Sequence, residues 1–209
     1  MNSTQQYKPY LNRKLTFSSN GDIYDDEGQA VMMGWEKPIM EEASKIICSK
    51  GGDVLNVGYG MGLIDSCIEN HSINSHWIIE AHPDIQHQIL KKGWLQKPHV
   101  KPIFGKWQNI YSHLPKFDGI YIDTYEENLT PFFENVHKLL KPGGIFSWFY
   151  NDDILHKGMA DKDLFIISEH FKIKFVDVTL NKVDNVDEKT GYWDPQKLKA
   201  KVPFCTLKN

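Results

Sequence analysis

The chain has 209 residues and a formal charge of −3, from 24 Lys plus Arg against 27 Asp plus Glu, and is 41% hydrophobic and 24% charged. This composition suits one globular unit with a sizeable core, and it excludes disorder as the main state and a basic nucleic-acid-binding sleeve. No apolar run approaches the roughly 18 residues of a membrane span, Met1 to Pro9 lack the features of a secretory signal, and the widely spaced Cys48, Cys67 and Cys205 form neither a disulfide framework nor a zinc knuckle. Reduced thiols are expected, with residence in the cytoplasm and the nucleus as a second compartment.

From Met1 to Ala30 the sequence is polar, with Ser18-Ser19-Asn20-Gly21 and the acidic run Asp25-Asp26-Glu27, and reads as an extended, partly mobile arm ahead of a folded domain over 31–209. Pro38 suits the first turn of a helix, and Ile39, Met40, Ala43, Ile46 and Ile47 recur at helical spacing until Gly51-Gly52. Val54 to Val57 reads as a buried strand, Gly58 to Gly62 as a tight turn and Leu63 to Asn70 as a helix. A strand over His76 to Glu80, a helix over Pro83 to Lys92, and strands over Val100 to Phe104 and Phe117 to Asp123 follow. A helix over Glu126 to Leu140 is expected to stop at Lys141-Pro142-Gly143-Gly144, with a strand over Ile145 to Phe149. Beyond it come a helix over Lys162 to His170, a strand over Lys172 to Val178, a polar excursion from Asn181 to Lys201 and a closing strand over Val202 to Leu207. Strands alternating with helices predict an α/β fold whose mostly parallel sheet is covered on both faces. The lysine-rich stretch from Lys189 to Asn209 reads as a solvated face.

Gly58-Tyr59-Gly60-Met61-Gly62 joins a strand to a helix, where glycines let the backbone turn sharply and approach a ligand. The third glycine of a dinucleotide fingerprint would fall at Leu63, which weakens a pyrophosphate reading. Glu80 ends the next strand, 22 residues after Gly58, where a carboxylate can accept hydrogen bonds from both hydroxyls of a ribose. One carboxylate, no phosphate-binding lysine and a glycine turn together favour S-adenosylmethionine, a cationic sulfonium without phosphate. Lys106 and Trp107, after the third strand, either border an adenine or cap the core. The histidines do not cluster at ligand spacing, and no metal is expected.

Asp123 ends the fourth strand at the carboxyl edge of the sheet, where open α/β folds bind ligands. Trp35 and Glu36 stand together just before the first helix, where an acid also suits the helix N-terminus. Two carboxylates can hold a guanidinium, whose planar fork of N–H groups pairs with carboxylates, and one of them can take its proton as a nitrogen is alkylated. Trp35 and Tyr125 can wall such a pocket and stack on the cation.

In this order, Val31-Met32-Met33-Gly34-Trp35-Glu36-Lys37-Pro38, Val54-Leu55-Asn56-Val57-Gly58-Tyr59-Gly60-Met61-Gly62, Glu80-Ala81-His82-Pro83, Gly105-Lys106-Trp107 and Phe117-Asp118-Gly119-Ile120-Tyr121-Ile122-Asp123-Thr124-Tyr125-Glu126-Glu127 resemble the guanidino-directed methyltransferases. That group comprises guanidinoacetate N-methyltransferase and type IV protein arginine methyltransferase, which modifies the delta nitrogen of arginine. Met32-Met33, Glu80-Ala81-His82-Pro83 and Asp123-Thr124-Tyr125-Glu126-Glu127 look like the protein-arginine branch. The resemblance implies a seven-stranded class I, Rossmann-like fold. It implies donor contacts at Phe17, Met32, Met40, Gly58, Tyr59, Gly60, Met61, Gly62, Glu80, Ala81, His82, Lys106, Trp107 and Asp123, with Glu36 and Asp123 as the guanidinium carboxylates. The implied acceptor is an arginine-bearing protein, ribosomal in that branch; the alternatives are a small guanidino compound such as guanidinoacetate, or a non-catalytic donor-binding subunit. Nucleic acid and membrane are not expected partners, and monomer and homodimer both stay open. The protein-arginine branch carries a further N-terminal region resembling ankyrin repeats, and Asp184 to Gln196 matches nothing in it.

Overall fold

The computed structural model describes residues 8–125, 127–151, 157–180 and 198–208. A seven-stranded sheet is built from β4 (Asp53–Val57), β5 (Ser75–Glu80), β6 (Val100–Phe104), β7 (Phe117–Ile122), β8 (Leu140–Trp148), β9 (Phe171–Thr179) and β10 (Lys199–Leu207). Its order is β6-β5-β4-β7-β8-β10-β9; β4 to β8 run parallel, and β10 is antiparallel to both β8 and β9. Ahead of it, β1 (Thr16–Phe17), β2 (Ile23–Tyr24) and β3 (Ala30–Met32) form a small antiparallel sheet. The expected α/β architecture is present.

Each face of the large sheet buries one apolar layer. On one side lie Ile39, Met40, Ala43, Ile46 and Ile47 of α1 (Lys37–Ile47), Ile64 and Ile68 of α2 (Leu63–Ile68), and Ile85 and Ile89 of α3 (Pro83–Lys91). The other holds Trp107 of α4 (Trp107–Ile110), Phe132 and Phe133 of α5 (Thr130–Phe133), and Ile167 of α6 (Lys157–His170). The 3.6-residue apolar spacing of α1 thus becomes the stripe that seats it on the sheet. No helix among the described residues is long and apolar enough to cross a membrane.

Three expectations are corrected. The described part of the arm is folded: Arg13 is buried and its Nη1 donates to Asp25 at 2.7 Å, while Asp25 also accepts the Glu27 and Gln29 amides. The helix expected from Glu126 to Leu140 is replaced by the single turn of α5 and a 3₁₀ turn at Val136–Leu139. Pro131 stands in the first turn of α5 and has no N–H for a longer helix, and Asn135 Nδ2 donates to the Pro131 carbonyl at 2.9 Å. The apolar spacing is still used, because Phe132, Phe133, Val136 and Leu139 are all buried. Finally, Lys141 to Gly144 lie inside β8, where the register with β7 shifts between Phe117 and Gly119. Most of the expected excursion from Asn181 to Lys201, and all of Asp184 to Gln196, lies outside the described residues.

A buried polar network stands beneath the glycine turn. Asn56 Nδ2 donates to the Gly58 carbonyl at 2.9 Å and to both Asp65 oxygens at 3.0 Å. His76, fully buried, meets Asp65 Oδ1 through Nε2 and Glu69 Oε1 through Nδ1, each at 3.0 Å. Lys97 and His99 reach Glu69 from the surface side. Burial alone would lower the His76 pKa, but the two carboxylate hydrogen bonds raise it above its ordinary value. Burial pushes Glu69 up, yet its bonds to His76 and Lys97 bring it down to about 2.

The protonated His76 therefore contributes stability that is full below the unfolded-state histidine pKa of about 6.5 and is lost as pH rises through the higher folded value. His76→Ala is expected to cost about 3–5 kcal/mol in urea unfolding near pH 6, because it strands buried Asp65. The gap between wild type and His76→Ala should narrow as the pH is raised from 6 to 9. A gap that widens over that range would mean that His76 is neutral in the fold.

Candidate active site

The carboxyl ends of β4, β5 and β7 open into a cavity of about 900 Å³, in the size range of cofactor sites. Its wall includes Met32, Met40, Gly58, Gly60, Glu80, Ala81, Lys106, Trp107, Asp123 and Tyr125, which were all singled out from sequence. The turn after β4 is held by Gly58 N–H to the Ile79 carbonyl at 2.9 Å and Gly62 N–H to the Tyr59 carbonyl at 2.7 Å. Gly58 has φ +94°, and a Cβ there would sit 1.9 Å from the Asp123 carbonyl oxygen. At Gly60, φ +52°, a Cβ would sit 2.2 Å from the Met32 sulfur. Gly58 excludes a side chain because the clash is with backbone, whereas at Gly60 the positive φ disfavours one and Met32 would have to move; the Met61 N–H points at the Met32 sulfur at 3.0 Å.

Glu80 is buried at the end of β5, and backbone amides orient its carboxylate. Tyr59 N–H donates to Oε2 at 2.9 Å and His82 N–H to Oε1 at 2.6 Å. Burial raises its pKa, while those backbone donors work in the opposite direction. Across the cavity, Trp107 Nε1 donates to Glu127 Oε2 at 2.7 Å, and Gln108 Nε2 to Glu127 Oε1 at 3.2 Å. Burial lifts the Asp123 pKa to about 7.

Other residues singled out from sequence do not line the cavity. Phe17 stands in β1 with its ring exposed. The Tyr59 ring is buried edge-on against Trp94, 5.8 Å between centroids, so only its backbone serves Glu80. Met61 and Gly62 continue the turn away from the wall. His82 accepts the Asp84 N–H on Nδ1 at 3.1 Å, which leaves its Nε2–H to donate to the Arg13 carbonyl, also at 3.1 Å; it pins the N-terminal segment. Burial holds its pKa below the usual value. Trp35 packs against the core, and Glu36 is completely buried, accepting the Met33 N–H on Oε1 at 2.7 Å.

Glu36 and Asp123 nevertheless share a neighbour. Tyr121 is fully buried in the cavity wall; burial, then Asp123, then Glu36 drive its hydroxyl pKa well above the ordinary value. Pro9, Tyr10, Leu11 and Asn12 also line the cavity, and the Tyr10 ring lies 4.8 Å from His82 and 4.9 Å from Tyr125. Sequence reasoning missed this wall, as it missed Tyr121, Thr124, Glu127 and Asn151. The available sign was aromatic residues, Tyr10 among them, inside a polar stretch.

A wall bearing Glu80, Asp123 and Glu127, with Lys106 its one basic side chain among the described residues, suits cationic ligands. A tight glycine turn lining the cavity and a buried carboxylate held by backbone amides at the end of β5 fit the ribose side of S-adenosylmethionine. The remaining wall includes the stretch from Tyr121 to Tyr125.

Residues 10–161 match the family model described as guanidinoacetate N-methyltransferase. The chain belongs to that family. Protein arginine N-methyltransferase 2 of Yarrowia lipolytica is 39% identical over 67% of this chain and 32% of its own length. The protein of the same name from Aspergillus oryzae is 35% identical over 94% of this chain and 51% of its own length. The chain thus spans about half, or less, of the curated relatives it matches. Among solved structures, spermidine synthase from Thermotoga maritima superposes with a TM-score of 0.68 at 17% identity, covering 93% of this chain and 73% of that one. M. jannaschii TYW2 in complex with AdoMet gives a TM-score of 0.58 at 14% identity, over 93% and 84%. These likenesses show the fold, a Rossmann-like α/β sheet.

The geometry of the family's glycine turn can be tested without an assay. Gly58→Ala is expected to destabilise the fold by about 1–3 kcal/mol in urea unfolding, the usual cost of a strained backbone position. A variant as stable as wild type would mean that the turn can move away from Asp123.

Proposed function

We propose that this chain transfers a methyl group from S-adenosylmethionine to a guanidino nitrogen, and that the acceptor is the delta nitrogen of an arginine in a protein. The observation carrying this reading is Asp123 in the cavity wall, its pKa raised by burial to about 7, with the buried Glu36 acting electrostatically on the same Tyr121 hydroxyl as Asp123. The names of the relatives support arginine as acceptor. The delta position and a ribosomal substrate rest on the resemblance of Glu80-Ala81-His82-Pro83 and Asp123-Thr124-Tyr125 to the protein-arginine branch.

In this reading Glu80 accepts the ribose hydroxyls, the backbone from Gly58 to Gly60 runs beside the donor, and Lys106 and Trp107 border the adenine. When bound, the donor supplies an electrophilic methyl group on a sulfonium. Asp123, in the wall, pairs with the guanidinium's N–H fork and turns one nitrogen toward that methyl, and Glu36, buried behind the wall, joins that pairing as the acceptor is seated. A guanidinium keeps its proton at neutral pH, with a pKa above about 12, and its nitrogen must lose one proton as it is alkylated. Asp123 accepts that proton; a carboxylate with a pKa near 7 is a better base than an ordinary one and is still ionised at cellular pH in a useful fraction.

Methyl transfer from labelled S-adenosylmethionine, offered guanidinoacetate and an arginine-containing protein extract in parallel, tests the reading, with mass analysis locating the methylated nitrogen. Label on a protein delta nitrogen supports it. Label confined to guanidinoacetate would favour the small-molecule activity in the description of the matching family. Donor binding with no transfer would leave a donor-binding subunit.

Asp123→Asn is expected to reduce turnover by more than about a hundredfold, and a variant within a fewfold of wild type removes Asp123 as the base. In the wild type, kcat/KM should fall tenfold per pH unit below about 7 as Asp123 takes a proton; a profile flat from pH 8 to 5.5 would exclude it as the titrating base. Glu36→Gln keeps a carbonyl oxygen for the Met33 N–H, so weaker acceptor binding with unchanged donor affinity is expected. Equal loss of both affinities would make Glu36 a structural residue.

A further inference from the structure

Tyr121 stands two residues before Asp123 on β7, on the same side of the sheet as α1 and its preceding Glu36. Tyr121 is one of the residues lining the cavity and its side chain is fully buried, yet its hydroxyl oxygen has no hydrogen-bond partner among the described residues. Leaving a buried hydroxyl unsatisfied costs free energy that a phenylalanine of the same shape would avoid. The neighbouring Thr124 hydroxyl, also in the wall, is buried and unpartnered in the same way. Two unpartnered buried hydroxyls thus stand on either side of Asp123.

We propose that the Tyr121 hydroxyl is an acceptor-binding group, taking an N–H of the guanidinium that Glu36 and Asp123 flank. The inference rests on the guanidino reading of the cavity and adds a residue to it. A substituted guanidinium carries five N–H donors in a rigid fork. Glu36 already takes the Met33 N–H on one oxygen, so the two carboxylates do not bring all four of their oxygens to the fork undivided. A neutral hydroxyl accepts a further N–H without adding another negative charge to a site already rich in carboxylates. It also gives the fork a third fixed point, and three points define which nitrogen is turned toward the donor. Tyr121 takes no proton in this scheme, since its hydroxyl stays protonated beside two carboxylates.

The test compares wild type with Tyr121→Phe, both saturated with S-adenosylhomocysteine, by calorimetric titration with N-acetyl-arginine amide and with guanidinoacetate. Thermal unfolding and S-adenosylhomocysteine affinity are measured on the same samples. The expected result is acceptor binding weakened by about ten- to a hundredfold, the range for a hydrogen bond to a charged group, with donor-product affinity unchanged and Tm equal or higher. Equal acceptor binding by the two proteins would overturn the role of Tyr121 and leave the guanidino reading standing. A lowered Tm, with both affinities reduced together, would also overturn it and assign the hydroxyl to the fold through a structural water. A wild type that binds neither probe would overturn the guanidino reading and this inference with it.

Discussion

The turn after β4 presses against the first residue beyond β7 so closely that a single methyl group at Gly58 would overlap the Asp123 carbonyl oxygen. Much of the site follows from that contact. It brings the glycine turn after β4 up against the residue that carries the Asp123 carboxylate, so parts of the cavity built on different strands share one wall. The Asp123 N–H bonds the Val57 carbonyl at 2.9 Å, continuing the β4–β7 ladder past the end of the strand and fixing the distance between them. The closeness of the glycine turn to Asp123 is thus a property of sheet register, which the apolar layers on both faces enforce.

The electrostatics of the cavity follow from where those strands end. Glu80 and Asp123 close β5 and β7 in surroundings too poorly solvated for ordinary carboxylates, and both are pushed toward their neutral forms. Glu80 resists through backbone amides, including those of Tyr59 and His82, whereas burial governs Asp123. That difference separates their work: the first is suited to a fixed hydrogen-bond acceptor, the second to a group that gains and loses a proton.

Much of this was legible in the sequence because it depends on short-range pattern. Apolar runs of four to six residues marked the central strands, glycines marked the turn, and acids at strand ends marked the cavity floor. What escaped depends on partners far apart in the chain. The segment around Tyr10 is held by His82 to the Arg13 carbonyl and by Leu15 N–H to Asp84, each across 69 residues, and its polar composition gives no hint of either bond. The helix expected over Glu126 to Leu140 failed because spacing records which side chains are buried, while Pro131 decides which backbone can bond. Tyr121 was hidden for a related reason: between Ile120 and Ile122 it reads as one more strand residue, and only the folded chain reveals a hydroxyl with nothing to bond.

The two strands at the ends of the large sheet bear on how copies of the protein meet one another. At one end β6 carries Lys101 and Pro102, and at the other β9 carries Lys172 and Lys174, all three lysines exposed. A proline offers no N–H to an incoming strand, and a charged ammonium must be stripped of water before another backbone can lie beside it. Both ends of the sheet are therefore poor templates for strand addition. The same residues that contribute nothing to the cavity protect the protein from open-ended aggregation through its own backbone.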